Sequence, residues 1–135
     1  MLARRTRLLL PSPKYNRHGQ LLMPEQASEV SVEEFKKLEL RVGTVVEVTR
    51  VPRTEKLYKV IVDLGKHGRK QTITSLVGHY KQEELLHKKI VFFSNLKEAR
   101  FAGQVSEGML LAASEETALS LLTVDREIDN GARVS

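Results

Sequence analysis

The stretch Asn95-Leu96-Lys97-Glu98-Ala99-Arg100-Phe101-Ala102-Gly103-Gln104-Val105-Ser106-Glu107-Gly108-Met109-Leu110-Leu111-Ala112-Ala113 strings a basic, polar loop directly onto a short apolar strand. Side chains able to reach a polyanion (Asn95, Lys97, Arg100, Ser106) stand within a few residues of a run that has to be buried (Met109, Leu110, Leu111). A small β-barrel displays a ligand-binding rim in this way, with the loop at the mouth and the strand in the wall.

Upstream of that stretch the sequence reads as strands. Leu40, Val42, Thr44, Val46 and Val48 alternate against Arg41, Gly43 and Glu47, a period-2 pattern that ends at Pro52. Tyr58, Val60, Val62 and Leu64 alternate in the same way, Gly65 to Gly68 turns the chain, and a third strand is expected from Arg69 to Val77. Lys81 to His87 reads as one or two helical turns, Lys88 to Leu96 as the fourth strand and Gly108 to Ser114 as the fifth. A three-strand meander, a helix and two further strands give the expected fold: all-β, a five-stranded OB-fold barrel with short helices. Leu119, Leu121, Leu122 and Val124, with Ala132-Arg133-Val134, form a C-terminal strand extension beyond the fifth strand. A further apolar segment of this kind needs either a second copy of the chain or its own barrel to cover it.

Residues 1 to 30 lack a sustained apolar period and contain Pro11, Pro13, Gly19 and Pro24, so they are expected to form a basic, flexible arm ahead of a domain spanning 31 to 135. Three readings fit the Arg-rich, acid-free start: a presequence, a nucleic-acid-binding arm, or a start placed too early, with Met23 as the true beginning. At Ser31 the pattern changes. Ser31 and Glu34 have the spacing of a capping box, with Val30 and Phe35 placed as a hydrophobic staple, and the helix they open is expected to reach about Leu38.

With 135 residues the chain has room for one modest core. The absence of cysteine excludes disulfides and thiolate metal sites. No apolar run approaches the length of a membrane span, so no membrane partner is expected. The net charge of +5 is unevenly placed: residues 33 to 100 hold fifteen basic side chains against nine acidic, and residues 101 to 135 hold two against six. So lopsided a field favours a phosphate backbone on one side of the molecule.

Catalysis has little support. His18, His67, His79 and His87 show no ligand spacing, and neither a nucleophile elbow nor a glycine-rich phosphate loop occurs. The paired carboxylates Glu33-Glu34, Glu83-Glu84 and Glu115-Glu116 suit helix ends or solvated loops better than acid-base work. The expectation is a protein that is not an enzyme and needs no cofactor or metal.

Leu40-Arg41-Val42-Gly43, Glu55-Lys56-Leu57-Tyr58, Gln71-Thr72-Ile73-Thr74-Ser75-Leu76, Tyr80, Glu83-Glu84-Leu85, Ser106-x-Gly108-Met109 and the tail Leu121 to Asp125-Arg126 through Asn130-Gly131-Ala132 resemble the tRNA-binding OB-fold family. That family includes free-standing structure-specific tRNA-binding proteins, the C-terminal domain of methionyl-tRNA synthetase and the domain of endothelial monocyte-activating polypeptide. The resemblance covers about residues 33 to 135. It implies a cytoplasmic tRNA-binding protein, acting as a tRNA chaperone or synthetase-assisting factor, with tRNA as ligand, a homodimer formed through the tail and an aminoacyl-tRNA synthetase as a candidate partner. Two alternatives stand beside it: a secretion-type protein chaperone on the same fold, and a separate tRNA-binding subunit of methionyl-tRNA synthetase.

The resemblance also implies the tRNA-binding set Lys56, Asn95, Lys97, Arg100, Ser106, Met109 and, more weakly, Arg41. By residue chemistry alone Lys56 is a solvated lysine beside the Pro52 turn or a point-charge contact to phosphate. Asn95 caps a loop, contacts a nucleotide, or does both. Met109 by pattern is core, and Arg41 could equally pair with Glu47 or Asp63. Ser106, like Lys56 and Asn95, is expected at the surface. The rings (Tyr15, Phe35, Tyr58, Tyr80, Phe92, Phe93, Phe101) are few and mostly in core patterns, which favours recognition of folded RNA shape over stacking along a single strand.

Overall fold

The computed structural model describes residues 15–21 and 28–135, and the chain divides into two compact units after Phe35. Most of the basic arm therefore lies outside the described residues. In the first unit, Asn16 Oδ1 accepts the backbone N–H groups of His18 and Gln20 at 2.8 and 2.9 Å, so one side chain organises the turn between the bridged residues Tyr15 and Leu21. The capping box forms as the spacing predicts. Glu34 N–H donates to Ser31 Oγ at 3.1 Å, and the Glu34 carboxylate takes the Ser31 N–H at 3.0 Å. The helix α1 (Val32–Phe35) that it opens is a single turn and stops short of Leu38.

The second unit is an antiparallel sheet rolled into a nearly closed barrel. Its strands are β1 (Leu40–Arg50), β2 (Tyr58–Asp63), β3 (Arg69–Thr74), β4 (Lys89–Phe93), two hairpin strands β5 (Ala99–Phe101) and β6 (Gln104–Ser106), then β7 (Met109–Leu110), β8 (Ala112–Glu115), β9 (Ala118–Leu121) and β10 (Arg133–Val134). The sheet order β3-β2-β1-β4-β7 supplies the five barrel strands of the expected OB-fold, with β10 added to β1. A short helix α2 (Gln82–Leu85) sits between β3 and β4, where Glu84 reaches back to the Lys81 N–H at 2.7 Å. Its Leu85 is fully buried.

β1 does not keep the strict alternation its sequence suggests. A bulge interrupts its pairing with β2 between Val45 and Glu47. The residues facing the barrel are consequently Gly43, opposite Ile90, then Val45, opposite Val62, and after the bulge Val48, opposite Val60. Val45, Tyr58, Val60, Val62, Leu64, Leu76, Leu85, Ile90, Phe92 and Leu121 form the core cluster. Leu40 and Val42 are buried outside that cluster, with Val42 paired to Val91.

The tail pairs with the backbone of this end of β1. Gly131 N–H donates to the Val42 carbonyl at 2.7 Å and Val42 N–H donates to the Ala132 carbonyl at 2.9 Å, ahead of the β10 pairs Leu40–Val134 and Arg41–Arg133. Lys89 Nζ donates to the Ile128 carbonyl at 2.6 Å and to Asn130 Oδ1 at 3.0 Å. The Thr44 hydroxyl donates to the same Asn130 oxygen at 2.9 Å. Gly131 holds φ 94, and a Cβ there would stand 2.7 Å from the Leu64 carbonyl. Much of the C-terminal extension thus folds onto its own barrel: Leu121 enters the core and residues 128–134 dock on β1 and β4. The hairpin β8–β9 projects, with Ala112 to Glu115 and Ser120 exposed.

Candidate nucleic-acid interface

A groove of about 350 Å³ opens where β3, the turn after β4, the β5–β6 hairpin and β7 converge. Its walls are Leu57, Thr72 to Ser75, Leu96, Lys97, Ala99, Phe101, Ser106 and Gly108 to Leu110. Three of the seven residues implied by the resemblance, Lys97, Ser106 and Met109, therefore meet in one place.

The hairpin is made by Ala102 (φ 51) and Gly103 (φ 80), two consecutive residues with positive φ of the kind that suits a tight two-residue turn. Alternation along β5 then sends Ala99 and Phe101 into the groove and Arg100 to the other face. Arg100 is exposed, yet it does not join the convergent set. Phe101 takes that place, with 46% of its surface exposed. The residue was legible as the second groove-facing position of Ala99-Arg100-Phe101, a signal that a loop reading of the segment passes over.

Ser106 corrects the surface expectation. It is 5% exposed, and Ile73 N–H donates to its Oγ at 3.1 Å. The same hydroxyl lies 3.2 Å from Thr72 Oγ1 and 3.1 Å from the Gly108 carbonyl, which also accepts the Thr72 hydroxyl at 2.8 Å. Next to it Glu107 N–H donates to the Gln71 carbonyl, Gln71 N–H donates to the Glu107 carboxylate, and Gln71 Nε2 donates to the Val105 carbonyl, each at 2.8 Å. These bonds join β3 to residues 105–108 and close the barrel where the backbone ladder has a gap. Ser106 is a latch in that seam, since its oxygen stands in for the strand carbonyl that Ile73 lacks. Gly108 is required beside it. A Cβ there would lie 2.6 Å from the Phe92 ring and against the Phe93 carbonyl.

Met109 is 43% exposed and forms a wall of the groove, so it is not the core residue its pattern suggests. Asn95 is exposed but engaged: its Oδ1 accepts the Glu39 N–H and its Nδ2 donates to the Lys37 carbonyl, both at 2.8 Å. Its amide ties the end of β4 to the segment entering β1, leaving one N–H and one lone pair for any ligand. Arg41 is a second correction. Its side chain is 15% exposed, donating to the Gly131 carbonyl and to Glu39 Oε1 at 3.0 Å each, and it stands among the groove residues at no point. The partner is Glu39 rather than Glu47 or Asp63, and the arginine anchors the tail. Lys56 is exposed next to the groove residue Leu57, its carbonyl receiving the Val77 N–H. Among the described residues the ion pairs involve Arg41, Arg126 and Arg133, and none engages Lys56, Lys97 or Arg100.

Among the described residues no three His, Asp or Glu side chains gather as a metal site, and no helix is long and apolar enough to cross a membrane. The groove offers a ring, a thioether, hydroxyls and a lysine, which suits binding rather than bond breaking.

Residues 40–133 match the family model described as "Putative tRNA binding domain". The chain is 49% identical over 105 residues to the methionine–tRNA ligase of Methanococcus vannielii, covering 78% of the chain and 16% of the ligase. The corresponding ligase of Thermotoga maritima is 44% identical over 110 residues, 82% of the chain and 17% of the ligase. The chain thus spans about a sixth of the length of these curated relatives. Among solved structures, a MetRS-related protein from Pyrococcus horikoshii superposes with a TM-score of 0.75 at 38% identity, covering 80% of this chain and 99% of that one. The chaperone CsaA of Bacillus anthracis superposes with a TM-score of 0.72 at 30% identity, covering 80% and 100%.

Proposed function

Because the chain belongs to the tRNA-binding domain family, we propose that it is a non-catalytic tRNA-binding protein of the cytoplasm that recognises folded tRNA and serves as a tRNA chaperone or synthetase-assisting factor. The observation that carries this reading is the groove itself. Lys97, Met109 and Phe101 line it with no acidic side chain among its walls, and Lys56 is exposed beside it. Phosphates laid over Lys56 and Lys97 release counterions, so binding weakens steeply with salt. Filter binding of several unrelated tRNAs over rising salt tests the reading. Similar affinities with a steep salt slope are expected, and a single-stranded oligonucleotide bound equally well would sink recognition by shape.

Two refinements accompany it. An aminoacyl-tRNA synthetase is the candidate partner, supported by relatives in which the matching segment is part of a methionine–tRNA ligase. A homodimer is the candidate assembly, now resting on the exposed face of β8–β9 rather than on the whole tail, because Leu121 and residues 128–134 are occupied by their own barrel. Ala113→Glu, at a position paired with Ser120, places a charge on that face. Light scattering then reads a dimer in the parent and a monomer in the variant; a monomeric parent at micromolar concentration removes the assembly.

A polypeptide-binding chaperone is the second reading, favoured by the groove's apolar walls and the likeness to CsaA. Competition between tRNA and an unstructured apolar peptide separates the two.

A further inference from the structure

We infer that Phe101 is a stacking platform for one unpaired nucleobase, so that the groove holds a single splayed nucleotide of the bound RNA while the rest of the molecule is read by shape. The inference rests on the tRNA-binding reading and names which part of the ligand enters the groove. Tyr58 and Phe92, the rings at the heart of the barrel, are 4% and 0% exposed, whereas Phe101 presents nearly half its surface. A phenylalanine left open on a hairpin beside an open methionine costs solvation that the fold does not recover, and the groove it lines mixes apolar walls with Thr74, Ser75 and Lys97. Met109 stands on the same walls, and Lys97 is the cation among them.

Size and charge select the occupant. A volume of about 350 Å³ lies at the low end of small-ligand pockets, roughly 300 to 1,000 Å³, which admits a base or two but no helix. In paired RNA the base faces are covered by their neighbours, so only an unstacked nucleotide can lie on the ring. Lys97 meets its phosphate, and the Thr74 and Ser75 positions offer polar atoms to its edge. A polypeptide would suit the apolar walls equally, but the walls carry a lysine and no carboxylate, which favours the anion.

The chain has no tryptophan, so Phe101→Trp introduces a single fluorophore at the proposed contact. Titration with tRNA should quench its emission, and titration with a blunt, fully paired RNA duplex should not. Phe101→Ala should lower tRNA affinity by about 5- to 150-fold, the range for losing one base stack, with Phe101→Tyr close to the parent and duplex affinity unchanged in all three. Should Phe101→Ala bind tRNA like the parent while Lys97→Ala weakens it, stacking is overturned and the tRNA reading stands. A parent with no measurable tRNA binding overturns both. Quenching by an unstructured apolar peptide to the same extent as by tRNA overturns the nucleotide in favour of polypeptide.

Discussion

Replacing Ser106 with alanine removes one oxygen from the seam between β3 and residues 105–108. Ile73 N–H then loses its acceptor at a residue only 7% exposed, while the Thr72 hydroxyl keeps the Gly108 carbonyl. An orphaned buried donor costs about 1 to 3 kcal/mol, and the volume change is too small to add a comparable cavity cost. For a domain of this size that lowers the melting temperature by about 4 to 8 °C per kcal/mol, well beyond the roughly 0.5 kcal/mol of an ordinary surface substitution. Thermal unfolding followed by circular dichroism reads the shift, and tRNA affinity is measured well below both transitions. The latch predicts a clear loss of stability with affinity near the parent's. An unchanged melting temperature with a tenfold or greater loss of affinity would refute it, and would return Ser106 to direct contact with the ligand.

Lys97→Ala should lower tRNA affinity and reduce the slope of log affinity against log salt by about one, with no change in melting temperature, since the side chain is exposed and enters no ion pair among the described residues. Asn95→Ala should destabilise by about 1 to 3 kcal/mol, because two hydrogen bonds worth roughly 0.5 to 1.5 kcal/mol each are lost between the end of β4 and residues 37–39. A denaturant midpoint equal to the parent's would show that this clamp carries nothing.

The barrel was legible because β2 keeps to a period of two, β3 follows the Gly65 to Gly68 turn and β4 is a short apolar run, and their observed limits differ from the expected ones by a few residues at most. What the pattern hid follows from local departures from regularity. The bulge after Val45 shifts the faces of β1, so that Val45 rather than Val46 enters the core. The β5–β6 hairpin escaped because three-residue strands give periodicity nothing to act on, and its turn uses Ala102 in a conformation that favours glycine. The fifth strand splits at Leu111, whose N–H goes to the Val91 carbonyl. The motif Ser106-x-Gly108-Met109 lies on the groove with the exposures of its members the reverse of the expected ones: the serine is buried in the seam and the methionine is open. A hydroxyl that closes a ladder gap and one that meets a ligand have the same letter in a sequence, and only the partner across the sheet tells them apart.

The eleven-residue β1 is longer than either neighbour, and β2 pairs with it only from Thr44 onward. Without residues 131–134, the backbone from Leu40 to Gly43 would present unpaired hydrogen-bonding groups flanked by Leu40 and Val42, the kind of edge that recruits strands from other molecules. The last residues of the tail are therefore an insulator against aggregation. Any change that loosens Gly131, or the arginine that grips its carbonyl, should be felt first as loss of solubility during refolding rather than as loss of binding.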